Sequence, residues 1–207
     1  MSASAKEKHE RILREGLGVM SREGLQGITL GVLAARVGMS KSGLFAHFRS
    51  KEEIQLALLT HVNEFGAKYT VEPAMAAAEG LPRLRAMVEH WLGWASRAGL
   101  PGGCPIAGAM FEVDDLEGPV RDRVLELERE WRGFLTGLVR RASDLGHLRS
   151  DLDADQFVWE LTGIYLSHHV AHGLLRAADA RTRALTAFEA LVTRSLPEKG
   201  VKGRARR

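Results

Sequence analysis

Thr29-Leu-Gly-Val-Leu-Ala-Ala-Arg-Val-Gly-Met-Ser-Lys-Ser-Gly-Leu-Phe-Ala-His-Phe48 is the stretch of this chain that decides its fold. Leu33, Ala34, Val37, Met39, Leu44 and Phe48 have the spacing of two short helices sharing one small core. Between the helices, Gly38 permits a sharp turn and Ser40 is placed to start the second helix through its hydroxyl. Lys41, Ser42, Gly43, Phe45, Ala46 and His47 are left on or near the outer side of that second helix. Gly43 and Ala46 keep it slim, and Lys41 and Ser42 stand at its N-terminal turn. This is the plan of a helix-turn-helix, whose second helix can enter a major groove about 12 Å wide. An ordinary helical hairpin with a solvated polar face is the plainer reading of the same pattern.

Outward from this unit, nearly everything reads as helix. Ile12, Leu13, Leu17 and Met20, then Ile54, Leu58, Val62 and Phe65, recur at three and four residues, and period-two alternation is nowhere sustained. The pattern predicts helices near 5–22, 30–36, 41–47, 51–70, 82–98, 104–113, 119–145, 154–177 and 181–195. Gly24 and Gly27 end the first, Thr29 caps the second, and Ser50-Lys51-Glu52-Glu53 has the reciprocal capping-box spacing.

With 207 residues, 45% hydrophobic and 27% charged, the chain can bury a sizeable core and is neither disordered nor fibrous. No apolar run approaches the ~18 residues that a membrane helix needs. Met1 to Arg14 lacks the apolar core of a secretory signal, and Cys104 is the single cysteine, which together predict a reducing, cytoplasmic setting. The net charge of +3 conceals a division: residues 1–50 carry eight Lys/Arg and four Glu, 51–198 carry 16 against 22 acids, and 199–207 carry five cations alone. Three parts follow: a helix-turn-helix head (1–50), an acidic helical body (51–198) and a basic, disordered tail (199–207).

The stretch Arg11 to Leu59 resembles the DNA-binding region of the tetracycline-repressor (TetR) family. Arg11-Ile12-Leu13, Gly24, Ile28-Thr29, Leu33-Ala34, Val37-Gly38-Met39-Ser40-Lys41, Leu44-Phe45, His47-Phe48 and Ser50-Lys51-Glu52 carry the likeness. It implies an all-α protein: a three-helix DNA-binding head, then a larger domain that binds a ligand and dimerises. It assigns DNA contact to Thr29, Lys41, Ser42, Gly43, Phe45, His47 and Lys51, with Lys51 as a phosphate ligand. Phe45 stands where the family commonly has a tyrosine, so a hydrogen bond to the DNA backbone is lost; Gly43 replaces a common threonine.

The same resemblance implies a homodimeric repressor on a palindromic operator, released when a small effector shifts the helix at 51–70. An activator of the same architecture stays open, as does a helical binding protein or enzyme with an incidental hairpin. Trp91, Trp94, Cys104, Phe111, Trp131, Phe134 and Trp159 are the candidate lining of an effector pocket, which suits a partly apolar molecule; core packing is the plainer reading of each. Phe157, Leu161, Ile164, His168, Leu175, Phe188 and Leu191 are the candidate dimer face, with Leu185 and Val192 beside them. Pro101-Gly-Gly-Cys-Pro-Ile-Ala-Gly-Ala-Met110, followed by Phe111-Glu112, resembles a stretch found in one branch of these repressors. His168 and His172 have zinc-compatible spacing but no accompanying glutamate motif, and Asp151, Asp153 and Asp155 imitate a calcium loop without its glycine and final glutamate. Neither is read as a metal site, and no catalytic residue or cofactor is assigned.

Overall fold

The computed structural model describes residues 3–198, so the basic tail expected over 199–207 lies outside them. Those residues form eleven helices and, among themselves, no strand. The head comprises α1 (Ala3–Glu23), α2 (Leu30–Val37) and α3 (Lys41–Phe45), followed by α4 (Lys51–Ala67). Next come α5 (Val71–Met75), α6 (Leu81–Trp91), α7 (Trp94–Arg97), α8 (Pro105–Val113), α9 (Pro119–Asp144), α10 (Ala154–Gly173) and α11 (Ala180–Arg194). None of them is long and apolar enough to cross a membrane.

Local chemistry sets the boundaries in the head. Gly24, at φ 78°, ends α1, and Thr29 Oγ1 accepts the Val32 N–H at 3.1 Å to begin α2. Gly38 is left-handed, with φ 64° and ψ 35°, and the turn lets Met39 N–H reach the Ala34 carbonyl at 2.9 Å. Ser40 and Ser50 cap α3 and α4 by accepting from the amides of Gly43 and Glu53. The return bond of the expected capping box is displaced by one residue, because Glu53 Oε2 accepts from Arg49 N–H at 2.6 Å.

Four helices are shorter than the sequence pattern suggests. α3 ends at Phe45, before His47. α4 stops at Ala67, since the Tyr69 and Thr70 amides and the Thr70 hydroxyl all turn back onto the Gly66 carbonyl. The helix expected over 82–98 breaks at Leu92-Gly93, where Gly93 has φ 72° and the guanidinium groups of Arg97 and Arg181 hold the Leu92 carbonyl. α10 ends at Gly173.

In the body, α9 is the central column and contacts α4, α6, α8 and α10. α10 packs in turn on α11, and this packing changes the expected dimer face. Phe157, Leu161, His168, Phe188 and Leu191 are buried within the chain, as is Val192. Ile164 and Leu185 are partly buried against the same core. Their spacing marks the inner faces of α10 and α11, and only Leu175 of the expected set is exposed. The outer stripe of α10 is instead Trp159, Gly163, Ser167, Val170 and Leu174.

The two rejected metal patterns have structural roles. Asp153 Oδ1 accepts the Asp155 and Gln156 amides, both at 3.0 Å, and so caps α10. His168 stacks on His172 with ring centroids 5.6 Å apart and 5° between planes. Burial, followed by the positive fields of His172, Arg181 and His169, pushes the His168 pKa down from 6.5 to about 4. Its folded-state pKa lies below the unfolded value, so the unfolded chain takes up the proton first as pH falls. Thermal stability should therefore fall as pH drops from 6.5 towards 4, and His168→Gln should flatten that slope. A pH series of melting curves for both proteins checks this.

Candidate DNA interface and effector cavity

The second helix of the helix-turn-helix exposes Lys41, Ser42, Phe45 and Ala46 along one edge, while Leu44 turns into the core. Phe45 keeps 52% of its surface exposed, a large apolar residue left unburied in the protein alone. The stem of Lys41 lies over α2: a Cβ added to Gly31 would stand 3.3 Å from Lys41 Cε. Thr29 is exposed but spends its hydroxyl on the α2 cap. Gly43 is half-buried beside Ser40 Oγ, and His47 is half-buried with its ring 6.3 Å from that of His9. Lys51, expected to hold a phosphate, donates from Nζ to Gln26 O at 2.9 Å and to Gln26 Oε1 at 3.1 Å. In the protein alone, that ammonium secures the α1–α2 turn.

The body encloses a cavity of ≈ 450 Å³. Its walls come from the C-terminal half of α4 (Val62, Gly66, Ala67), from α8 (Ile106, Ala107, Met110) and from facing residues of α9 and α10. Trp91, Trp94, Cys104, Trp131 and Phe134 line it as expected. Phe111 and Trp159 do not: they are 59% and 66% exposed. Phe111 turns outward, one residue past Met110, and Trp159 lies two turns before Leu166, beyond the lined part of α10. Tyr165, which the sequence reading omits, stacks on Trp91 with centroids 3.8 Å apart and 7° between planes. Its phenol pKa is raised well above the usual range, chiefly by burial. The Thr162-Tyr165-Leu166 spacing was the available signal, since it sets three wall residues on one helix face. Trp131 meets Trp91 edge to face at 5.1 Å, and its Nε1 is buried without a hydrogen-bond partner.

Glu112, also unassigned by the sequence, joins the head to the cavity wall. Its carboxylate accepts the Leu25 amide at 2.9 Å and the Gln26 amide at 2.8 Å. The carbonyls of the same two residues are held from α4, Leu25 O by Gln55 Nε2 at 2.8 Å and Gln26 O by Lys51. Gly24 is required beside this clamp: a Cβ there would fall 2.5 Å from Glu112 Oε1. Glu112 shares α8 with Ile106, Ala107 and Met110, so one rigid helix touches both the cavity and the turn between α1 and α2.

Comparison with known proteins agrees with this geometry. The family model for "Bacterial regulatory proteins, tetR family" matches residues 12–58, and that for "Tetracyclin repressor-like, C-terminal domain" matches residues 80–188. Nucleoid occlusion factor SlmA of Sodalis glossinidius is 30% identical over 139 residues, covering 67% of this chain and 70% of that protein. The Serratia proteamaculans SlmA is 33% identical over 146 residues, covering 60% and 70%. A TetR transcriptional regulator from Chloroflexus aurantiacus superposes with a TM-score of 0.80 at 25% identity, covering 93% of this chain and 96% of that one. AibR, solved in complex with isovaleryl coenzyme A and operator DNA, superposes with a TM-score of 0.68 at 20% identity, covering 92% and 98%. The chain belongs to the TetR family of DNA-binding transcriptional regulators.

Removing the clamp leaves two amides without their charged acceptor, and hydrogen bonds of that kind contribute about 1.5–3 kcal/mol each. Glu112→Ala should destabilise the fold by about 2 kcal/mol, given that the Gln26 bond is solvent-exposed. Urea unfolding measures it; an unchanged midpoint would remove the clamp from the head's support.

Proposed function

We propose that the protein is a cytoplasmic repressor that binds a two-fold symmetric operator as a homodimer and is released by a small, partly apolar effector. The observation that carries this reading is a helix-turn-helix with an open face of Lys41, Ser42 and Phe45, joined by α4 and α8 to an aromatic cavity. Thr29, Gly43, His47 and Lys51 flank that face, and the DNA-contact role extends to them in this proposal. The protein acts by binding, without catalysis. AibR was solved with both a ligand and operator DNA, the same pairing proposed for this chain.

The division at residue 50 is best drawn as a shared boundary, because α4 serves both parts. Its first residue, Lys51, holds the α1–α2 turn, and its last turn, at Gly66 and Ala67, walls the cavity about 25 Å away at 1.5 Å per residue. An effector that favours the state unable to bind DNA must lower operator affinity, and DNA must lower effector affinity by the same factor. The second copy is proposed to sit on the outer stripe of α10 with Ala187 and Ala190 of α11, both exposed small residues. That dimer would hold two reading heads about one DNA turn, or a multiple of it, apart.

The name of the SlmA relatives favours one further reading, in which the same head serves nucleoid occlusion. Selection from random duplex DNA, followed by mapping of the selected site on the chromosome, tests both. One or a few inverted repeats at promoters support the repressor; many dispersed sites support the second reading; no enrichment contradicts both. Lys41→Ala should weaken binding to every sequence and reduce the slope of log affinity against log salt by about 2, one phosphate contact per protomer. Trp159→Glu should convert a dimer to monomers in size-exclusion chromatography with light scattering, without unfolding the chain. A dimer that persists would move the interface elsewhere.

A further inference from the structure

Resting on the reading of this cavity as the effector site, we infer that it selects a lipophilic organic cation, such as a quaternary ammonium with an apolar tail. Every ionisable carboxylate or base in its lining carries the same sign: Glu64, Glu128 and Glu130 contribute, and no Lys, Arg or His does. A ligand bearing a carboxylate or phosphate would enter past three glutamates and meet no cation. A ligand bearing a positive charge meets the opposite arrangement.

The three glutamates differ in what already neutralises them. Glu128 is held by Arg132 at 2.6 Å and has little field to spare. Glu130 is only 3.9 Å from Arg123, which is paired more closely with Glu126. Glu64 has no ion pair among the described residues, and both Glu64 and Glu130 are exposed at the edge of the lining. The unneutralised charge therefore sits at the mouth, where a desolvating cation would first lose water.

Deeper in, the walls supply aromatic surface. Trp91 lies against both Trp131 and Tyr165, and these three line the same space as Trp94 and Phe134. The faces of such rings attract a cation electrostatically, most strongly those of tryptophan, and a tetraalkylammonium loses little hydration on reaching them. The remaining lining is mainly aliphatic, suited to an alkyl or aryl tail. Glutamates at the entrance and aromatic rings inside thus act on the same charge in sequence.

Calorimetric titration of the full chain with octyltrimethylammonium and octanoate below their micelle concentrations, and with octanol below its solubility limit, separates charge from apolar burial. The cation should bind at least tenfold more tightly than octanol, and octanoate should bind more weakly than both. The double variant Glu64→Gln, Glu130→Gln should shrink the ratio of cation to octanol affinity several-fold, with melting curves confirming that it folds. Octanoate binding as tightly as the cation, or an unchanged ratio in the double variant, would overturn the cation preference while leaving the cavity a ligand site. Binding of none of the three would overturn both the inference and the effector-site reading beneath it.

Discussion

The grip of the Glu112 carboxylate on the amides of Leu25 and Gln26 is the constraint on which the rest of the architecture turns. The six residues 24–29 between α1 and α2 lie outside any helix or sheet ladder, and buried or half-buried polar groups there must find other partners. Here α8 supplies the acceptor, while α4 supplies both donors through Gln55 and Lys51. Beside the backbone bonds of Gly24 to Met20 and of Ile28 to Leu25, the turn that orients α2, and through it the recognition helix, is therefore held by side chains from helices that also form the cavity.

This arrangement gives the proposed ligand response a physical route. α4 and α8 each have one end at the head and the other at the cavity among the aromatic rings. A displacement of either need not be transmitted through a chain of loosely packed residues, because the same helix makes both contacts. The charge distribution is consistent with that division of labour: the acidic excess lies in the body, while the basic head carries the surface that would approach a polyanion.

Much of the head is legible in the sequence because its signals are local. Gly38, Ser40, Thr29 and Ser50 act within three or four residues of themselves, so spacing alone places the turns and caps. Core and cavity are harder to separate. Phe157, Leu161 and Phe188 show the right periodicity for a buried face, but periodicity cannot say whether the burying partner is the same chain or a second copy. Trp159 and Phe111 are aromatic like the true lining, and only their rotation and height on the helix exclude them. Glu112 is the least legible of all. It acts on residues 86 and 87 positions earlier in the chain, and a glutamate late in a helix carries no sequence mark of that partner.

Hydrogen exchange with and without a selected operator duplex tests the central claim, that head and cavity are joined mechanically through the 24–26 turn. DNA binding should change amide protection at residues 24–26 and at 105–113 together, and Glu112→Ala should abolish the change at 105–113 while the head still responds. Protection changes confined to residues 29–51 in the unaltered protein would contradict the claim.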